Sequence, residues 1–167
     1  MGAAYALAGR LTEALPLLEQ APERAAAQGL MQDQARRVAR LSEALLLSDR
    51  LAEAHTLAER ALELARVHRE RGNQASVLRL LGELHARHAP PQVEQAEAHY
   101  RQALSLAEDL GMRPLQAHCQ RGLGTLYATT GQREQAYTAL AAAMALYRAM
   151  DMTFWLPQAE AALAQVT

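Results

Sequence analysis

Apolar residues recur along the chain with the period of an amphipathic helix, and one motif repeats at intervals of about 40 residues. Each copy has a small residue followed by a large one, then a turn residue, and then a second segment marked by alanines. The four copies are Gly2, Tyr5, Gly9, Ala14, Leu18, Ala21; Ser42, Leu45, Asp49, Ala54, Ala58, Ala61; Gly82, His85, Ala96, Tyr100, Ala103; and Gly124, Tyr127, Gly131, Ala136, Leu140, Ala143. Small residues on one helix are therefore predicted to face large ones on its antiparallel neighbour.

The motif predicts an all-α fold, an α-solenoid of about four antiparallel helix pairs with a C-terminal capping helix. First helices are expected near 1–8, 31–48, 74–88 and 114–129, second helices near 11–28, 51–71, 92–110 and 132–150, and the capping helix near 154–165. We expect a single domain over 1–167 with repeats near 1–29, 31–72, 74–111 and 114–150. Gly29, Gly72 and Gly111 fall at predicted helix ends, where glycine commonly adopts a left-handed conformation.

Composition favours the same fold class. Alanine is the commonest residue and leucine the next, and the chain has no isoleucine. Alanine and leucine are strong helix formers, whereas the β-branched and aromatic residues preferred in strands are scarce. The apolar content of 50% is sufficient for a core.

The repeated residues resemble the tetratricopeptide repeat (TPR) signature, in which a small and a large residue on the first helix precede a turn and an Ala, bulky residue, Ala series on the second. The copies are about 40 to 42 residues long, compared with about 34 for the usual repeat, and they lack its closing proline. Such lengthened repeats are similar to those in the C-terminal regions of large bacterial signalling ATPases and regulators. The resemblance implies a protein-interaction scaffold and no enzyme activity.

Charge and motifs exclude several function classes. The net charge of −1 creates no overall field for nucleic acid or an anionic membrane. No apolar stretch is long enough to span a bilayer and no signal peptide is recognisable, so a cytoplasmic location is expected. The single cysteine, Cys119, cannot form an internal disulfide. Without a Gly-rich phosphate loop or a recognisable catalytic pair, we predict no cofactor and no catalysis.

A concave surface lined by the first helices is the expected binding site. Projection of the sequence onto this surface gives Arg36, Arg40, Glu43, Arg79, Glu83, Arg87, His118 and Arg121. With five arginines and two glutamates, the surface suits an acidic peptide or helix of a partner protein. The alternative is a solvated face whose arginines and glutamates neutralise one another.

Two other binding chemistries have weaker support. The carboxylate clamp of chaperone-binding TPR proteins uses asparagines and lysines, but this chain has no lysine and only Asn73. His85 and His88 have a spacing that can bind zinc or nickel. No further ligand follows at the expected spacing, and His85 takes the place of Tyr5, Leu45 and Tyr127 in other copies, so a packing role is favoured.

The two ends of the repeat array raise different expectations. Phe154 and Trp155 are predicted to cover the apolar face of the last pair, as capping elements do in repeat proteins. At the other end, the pattern starts part-way through a helix. The exposed edge predicts either preceding repeats in a longer protein or a homodimer through that edge. A different function class, a sensor that binds a small ligand in the hollow and relays it to an attached effector module, also fits this fold.

Overall fold

The computed structural model describes residues 11–27 and 33–166, with side chains described for 12–20 and 33–166. This part of the chain is entirely helical apart from its turns, which confirms the all-α prediction. The helices are α1 (Leu11–Ala27), α2 (Gln34–Leu47), α3 (Leu51–Val67), α4 (Arg71–Arg87), α5 (Val93–Asp109), α6 (Arg113–Thr129), α7 (Arg133–Ala149) and α8 (Leu156–Ala164). The helix predicted near 1–8 and Gly29 lie outside the described residues.

The helices form a two-layer stack. Each helix packs against the next one in the chain, so that α2 pairs with α3, α4 with α5, and α6 with α7. Contacts between alternate helices occur only along the series α2, α4, α6 and α8 within the described part. These four helices therefore form the inner layer of the solenoid, and α3, α5 and α7 form the outer layer.

Most turns between helices share one conformation. A left-handed residue follows the helix end in five of them, at Asp49, Arg69, Gly111, Gly131 and Asp151. The next amide then donates to a carbonyl five residues earlier, 2.8–3.0 Å away, as in a Schellman motif. The prediction for Gly111 is confirmed, whereas that for Gly72 is wrong.

Gly72 is the second residue of α4, because α3 ends earlier than predicted and Arg69 takes the left-handed conformation at φ 55°. The connection from α4 to α5 differs from the shared turn. It runs through Pro90 and Pro91, and the amide of Gln92 donates to the carbonyl of His85 at 3.0 Å.

Small residues face large ones inside each pair, as the motif predicts. A Cβ atom added to Gly82 would lie 2.9 Å from the ring of Tyr100, and one added to Gly124 would lie 2.6 Å from Cγ of Leu140. The ring of Tyr100 also occupies the space that a side chain at Gly122 would need, a contact that the motif does not contain.

The alanines of the motif have matching environments in successive pairs. Ala14, Ala54, Ala96 and Ala136 are all completely buried. In the first described pair the small residue is Ser42, whose hydroxyl donates to the carbonyl of Ala54 at 2.6 Å. The small side chains bring the helices of each pair close together.

The last helix covers the end of the stack. Trp155 and Leu156 pack with Ala159 against Met144 and Tyr147 of α7. The capping prediction therefore holds for Trp155. It is wrong for Phe154, which precedes α8 and is 65% exposed.

Candidate functional site: the groove of the inner helices

The inner layer encloses a groove with a volume of about 540 Å³. We define the groove by its lining from α2, α4 and α6, together with Trp155 and Gln158 at the start of α8. All eight residues predicted for the concave surface line it. The structure thus brings the predicted residues together, and their role in binding remains a prediction.

Arg79 of α4 is the central charged residue of the groove. Its guanidinium contacts Glu43 of α2 and Glu83 of α4, each at 2.9 Å, and its side chain is only 14% exposed. Burial opposes the charge of Arg79, but Glu83 and Glu43 outweigh it and raise the pKa of the guanidinium. Arg79 is therefore a charged link between two inner helices and is poorly placed to reach a ligand.

Further arginines extend this link in both directions. Arg40 contacts Glu43 at 3.3 Å, and Arg87 contacts Glu83 at 2.9 Å. We call these five connected residues the ion-pair chain: Arg40, Glu43, Arg79, Glu83 and Arg87.

The ion-pair chain keeps its buried carboxylate ionised. Burial acts to raise the pKa of Glu83, but Arg79, Arg87 and Arg121 overcome burial and hold this pKa below its usual value. The predicted alternative of local neutralisation is thus realised for the middle of the groove. Its two glutamates are engaged with arginines on both sides.

Arg121 of α6 has different partners. Its guanidinium donates to Oε1 of Gln158 at 2.6 Å and lies 5.0 Å from the ring centre of Trp155. No carboxylate within ion-pair distance of Arg121 is found among the described residues, whereas the other four groove arginines each have one. Stacking on an indole orients the planar guanidinium while its remaining N–H groups can still donate to an anion.

His118 joins this end of the groove to the outer layer. Its Nδ1 lies 2.8 Å from the hydroxyl of Tyr147, and its ring meets Trp155 edge-on at 4.8 Å. Burial first, and then the charges of Arg79 and Arg121, lower the pKa of His118 to about 4. His118 is therefore neutral at pH 7 and adds no positive charge to the groove.

The charge of the groove lining is positive. Five arginines and two glutamates contribute to it, and Arg36 has a further pair with Asp33 at 2.8 Å outside the lining. Trp155 and Gln158 were not among the residues predicted for the groove, because capping was favoured over binding as the role of Trp155. The stacking of Arg121 on Trp155 depends on tertiary packing and has no signal in the repeat pattern.

Other candidate chemistry is placed away from the groove or in the core. Burial raises the pKa of the Cys119 thiol to about 12, which is inconsistent with a reactive thiolate. Among the described residues, no group of three or more potential ligands is arranged to hold a metal ion. His85 is buried at the position that Leu45 and Tyr127 occupy in the neighbouring copies.

Of the helices in the described ranges, none has the length and apolar character to cross a membrane.

Comparison with solved structures supports the fold assignment. The chain is similar to the crystal structure of nearly identical TPR-like repeats from a Podosopora anserina protein that is named as a candidate kinesin light chain. The two share 20% identity with a TM-score of 0.66, over 99% of this chain and 89% of the other, and a point variant of that protein gives the same values. No sequence-family model matches the chain, and a search of curated proteins finds no significant relative. At this identity the likeness shows the fold alone, a TPR-like helical repeat.

Proposed function

We propose that the groove binds an acidic segment of a partner protein and that Arg121 is its principal anchor. The observation that supports this most directly is the state of the groove arginines. Four are held by carboxylates of the chain itself, while Arg121 is stacked on Trp155 with N–H groups available for a ligand. Arginine and tryptophan are the residue types most enriched at binding hot spots.

The remaining arginines play a secondary part in this proposal. Arg36, Arg40 and Arg87 are about half exposed, and exposed ion pairs contribute at most about 1 kcal/mol, so an incoming carboxylate can exchange with their internal partners. These residues supply electrostatic attraction at the rim of the groove. Arg79 acts as a positioning residue for Glu43 and Glu83.

The groove lining favours a scaffold over a small-ligand sensor. Eight of its lining residues are arginine, glutamate or histidine, whereas a site for a small ligand usually has only a few polar groups. We further propose, from the lengthened repeats, that the scaffold belongs to a bacterial regulatory protein. Ala54, Ala96 and Ala136 follow one another at intervals of 42 and 40 residues.

The test is a binding assay with peptide arrays. Immobilised 12-residue peptides that differ only in acidic or basic content are probed with the labelled wild-type chain and with Arg121→Gln. We expect acidic peptides to be retained, basic ones not, and Arg121→Gln to lose about tenfold in affinity, as expected for removing a charged hydrogen-bonding anchor. Retention should also decrease at high salt.

The matched control is Arg113→Gln, which removes an exposed arginine of the same helix outside the groove lining. Arg113→Gln should bind as the wild type does. Equal retention of acidic and basic peptides, or equal losses in the two variants, would contradict the proposal. Arg79 is avoided in this assay because its replacement would disturb the ion-pair chain itself.

A further inference from the structure

Four of the six histidines meet at one place between the inner helix α4 and the outer helices α3 and α5. His55 of α3, His85 of α4, His88 at the end of α4 and His99 of α5 form this histidine cluster. Ring centres are 5.1 Å apart for His55 and His85 and 5.0 Å apart for His85 and His99, and His88 lies 6.2–6.3 Å from His55 and His85. Helical spacing brings together only His85 and His88, because His55 and His99 come from different helices.

The cluster lies across the interface between two pairs. His55 belongs to the α2–α3 pair, whereas His85 and His99 belong to the α4–α5 pair. His85 and His99 are stacked with an angle of 3° between their planes, and His55 meets His85 edge-on. These aromatic contacts are part of what holds α3 against α4.

His85 donates a hydrogen bond to Gln92, which directly precedes α5. Its Nδ1 lies 2.5 Å from Oε1 of Gln92, and an amide oxygen only accepts, so Nδ1 carries a proton. The side chain of His85 is buried between the rings of His55 and His99. The Nδ1 atom of His99 is also buried, and within the described ranges it makes no hydrogen bond of good geometry.

Few charged groups face the cluster to compensate for protonation. On α3, a carboxylate oxygen of Glu59 lies 3.6 Å from Nδ1 of His55. Arg66, also on α3, carries a positive charge that disfavours protonation of His99. From α4 the facing titratable groups are His85 and His88, and from α5 it is His99. In the part of the chain that the structure describes, Glu59 is the one carboxylate at ion-pair distance from the cluster, and its side chain is 65% exposed.

The pKa values follow this arrangement. Burial lowers the pKa of His55, against Glu59, and His85 and His88 lower it further. Burial and His85 likewise lower the pKa of His99, with Gln95 opposing and His55 and Arg66 adding to the decrease. Below about pH 6.5 the unfolded chain therefore binds more protons at these sites than the folded one, so the free energy of unfolding falls as the pH falls.

We propose that the histidine cluster is an acid-sensitive latch on the interface between the α2–α3 and α4–α5 pairs, closed when His55 and His99 are neutral and loosened when they are protonated. The two pairs supply α2 and α4, which are neighbouring helices in the groove lining. Loosening this interface would therefore change the width of the groove.

The first test compares melting temperatures at pH 7.5 and pH 5.5 for wild type, His55→Gln/His99→Gln and His68→Gln. The double variant keeps the His85–Gln92 hydrogen bond, and His68 is an exposed histidine outside the cluster, which makes it the matched control. We expect the wild type and His68→Gln to lose about 3 to 6 °C more than the double variant on acidification. His118 is present in all three proteins, so its own titration cancels in the comparison.

The second test locates the effect by amide hydrogen exchange, corrected for intrinsic rates at the two pH values. In the wild type, protection in α3 and α4 should decrease more than in α6 and α7, and the double variant should not show this difference. The proposal would be overturned if acidification lowered the melting temperatures of the wild type and the double variant equally. A loss of amide protection that is uniform along the chain would overturn it as well. If the double variant is unfolded at pH 7.5, His55→Gln alone should show a smaller difference of the same sign.

Discussion

The interfaces inside the helix pairs and the groove between the inner helices are held together by different physical means. Inside the pairs, Gly82 and Gly124 allow Tyr100 and Leu140 to approach the opposite backbone, and the contacts depend on side-chain size. In the groove, Arg79 and its glutamates connect α2 to α4 by charge. The interfaces inside the pairs tolerate almost no change in side-chain size. A partly exposed ion pair of the groove, by contrast, can be exchanged for an ion pair with a ligand. The groove is therefore the part of the molecule that is suited to binding.

The largest expected effect comes from placing a charge inside a pair interface. Ala136 is completely buried at the contact between α6 and α7. Ala136→Glu should lower the free energy of unfolding by about 3 kcal/mol or more, because the carboxylate would be buried without a partner. Urea denaturation followed by circular dichroism measures this change. An unchanged midpoint would show that size and polarity do not limit this interface.

The next prediction changes size alone. Gly124→Ala adds a methyl group 2.6 Å from Cγ of Leu140 and 3.1 Å from its backbone nitrogen, so the pair must separate. We expect a loss of about 2 to 3 kcal/mol in the free energy of unfolding. Gly72→Ala is the matched control, because its methyl group would meet Sδ and Cε of Met112 at 3.7 and 3.9 Å, which are ordinary contacts. Gly72→Ala should cause no loss, and similar losses in both variants would argue against size as the cause.

The groove is expected to respond less to a comparable change. Arg79→Met removes the charge shared by Glu43 and Glu83 and should cost about 2 kcal/mol, less than for a fully buried pair because both carboxylates retain some exposure. Arg36→Met breaks an exposed pair with Asp33 and should cost at most about 0.5 kcal/mol. Thermal unfolding of both variants in low salt checks this difference. Equal losses of stability in the two variants would mean that the burial of Arg79 does not increase the contribution of its ion pairs.

The same contrast explains what could be predicted from the sequence. The pair interfaces follow from a repeated small and large spacing, and the positions of Gly124 and Leu140 were predicted together on that basis. Gly122 was missed because its partner, Tyr100, belongs to the preceding pair. A repeat pattern compares equivalent positions and contains no information on contacts that occur in one place only.

The groove was predicted by position but not by pairing. Helical periodicity places Arg79 and Arg121 on the same surface, since it depends only on the turn of each helix. Which arginine is occupied depends on distances between helices, and the Trp155 contact depends on the direction of α8. Likewise the histidine cluster brings together residues from three helices without any common spacing.

The last expected effect, which is seen only on acidification, connects the two regions through His118, which lines the groove and contacts Tyr147 of the outer helix α7. Its pKa of about 4 lies below the usual value for histidine, so between about pH 6.5 and pH 4 the unfolded chain binds the additional proton. Stability is therefore lost as the pH falls through this range. Between pH 7 and pH 5 we expect His118 to account for a loss of roughly 1.5 to 2 kcal/mol, which His118→Gln should remove while keeping a hydrogen bond to Tyr147. Titration of the His118 ring by NMR gives the pKa directly, and a value near 6.5 would mean that the groove does not shield this residue from water.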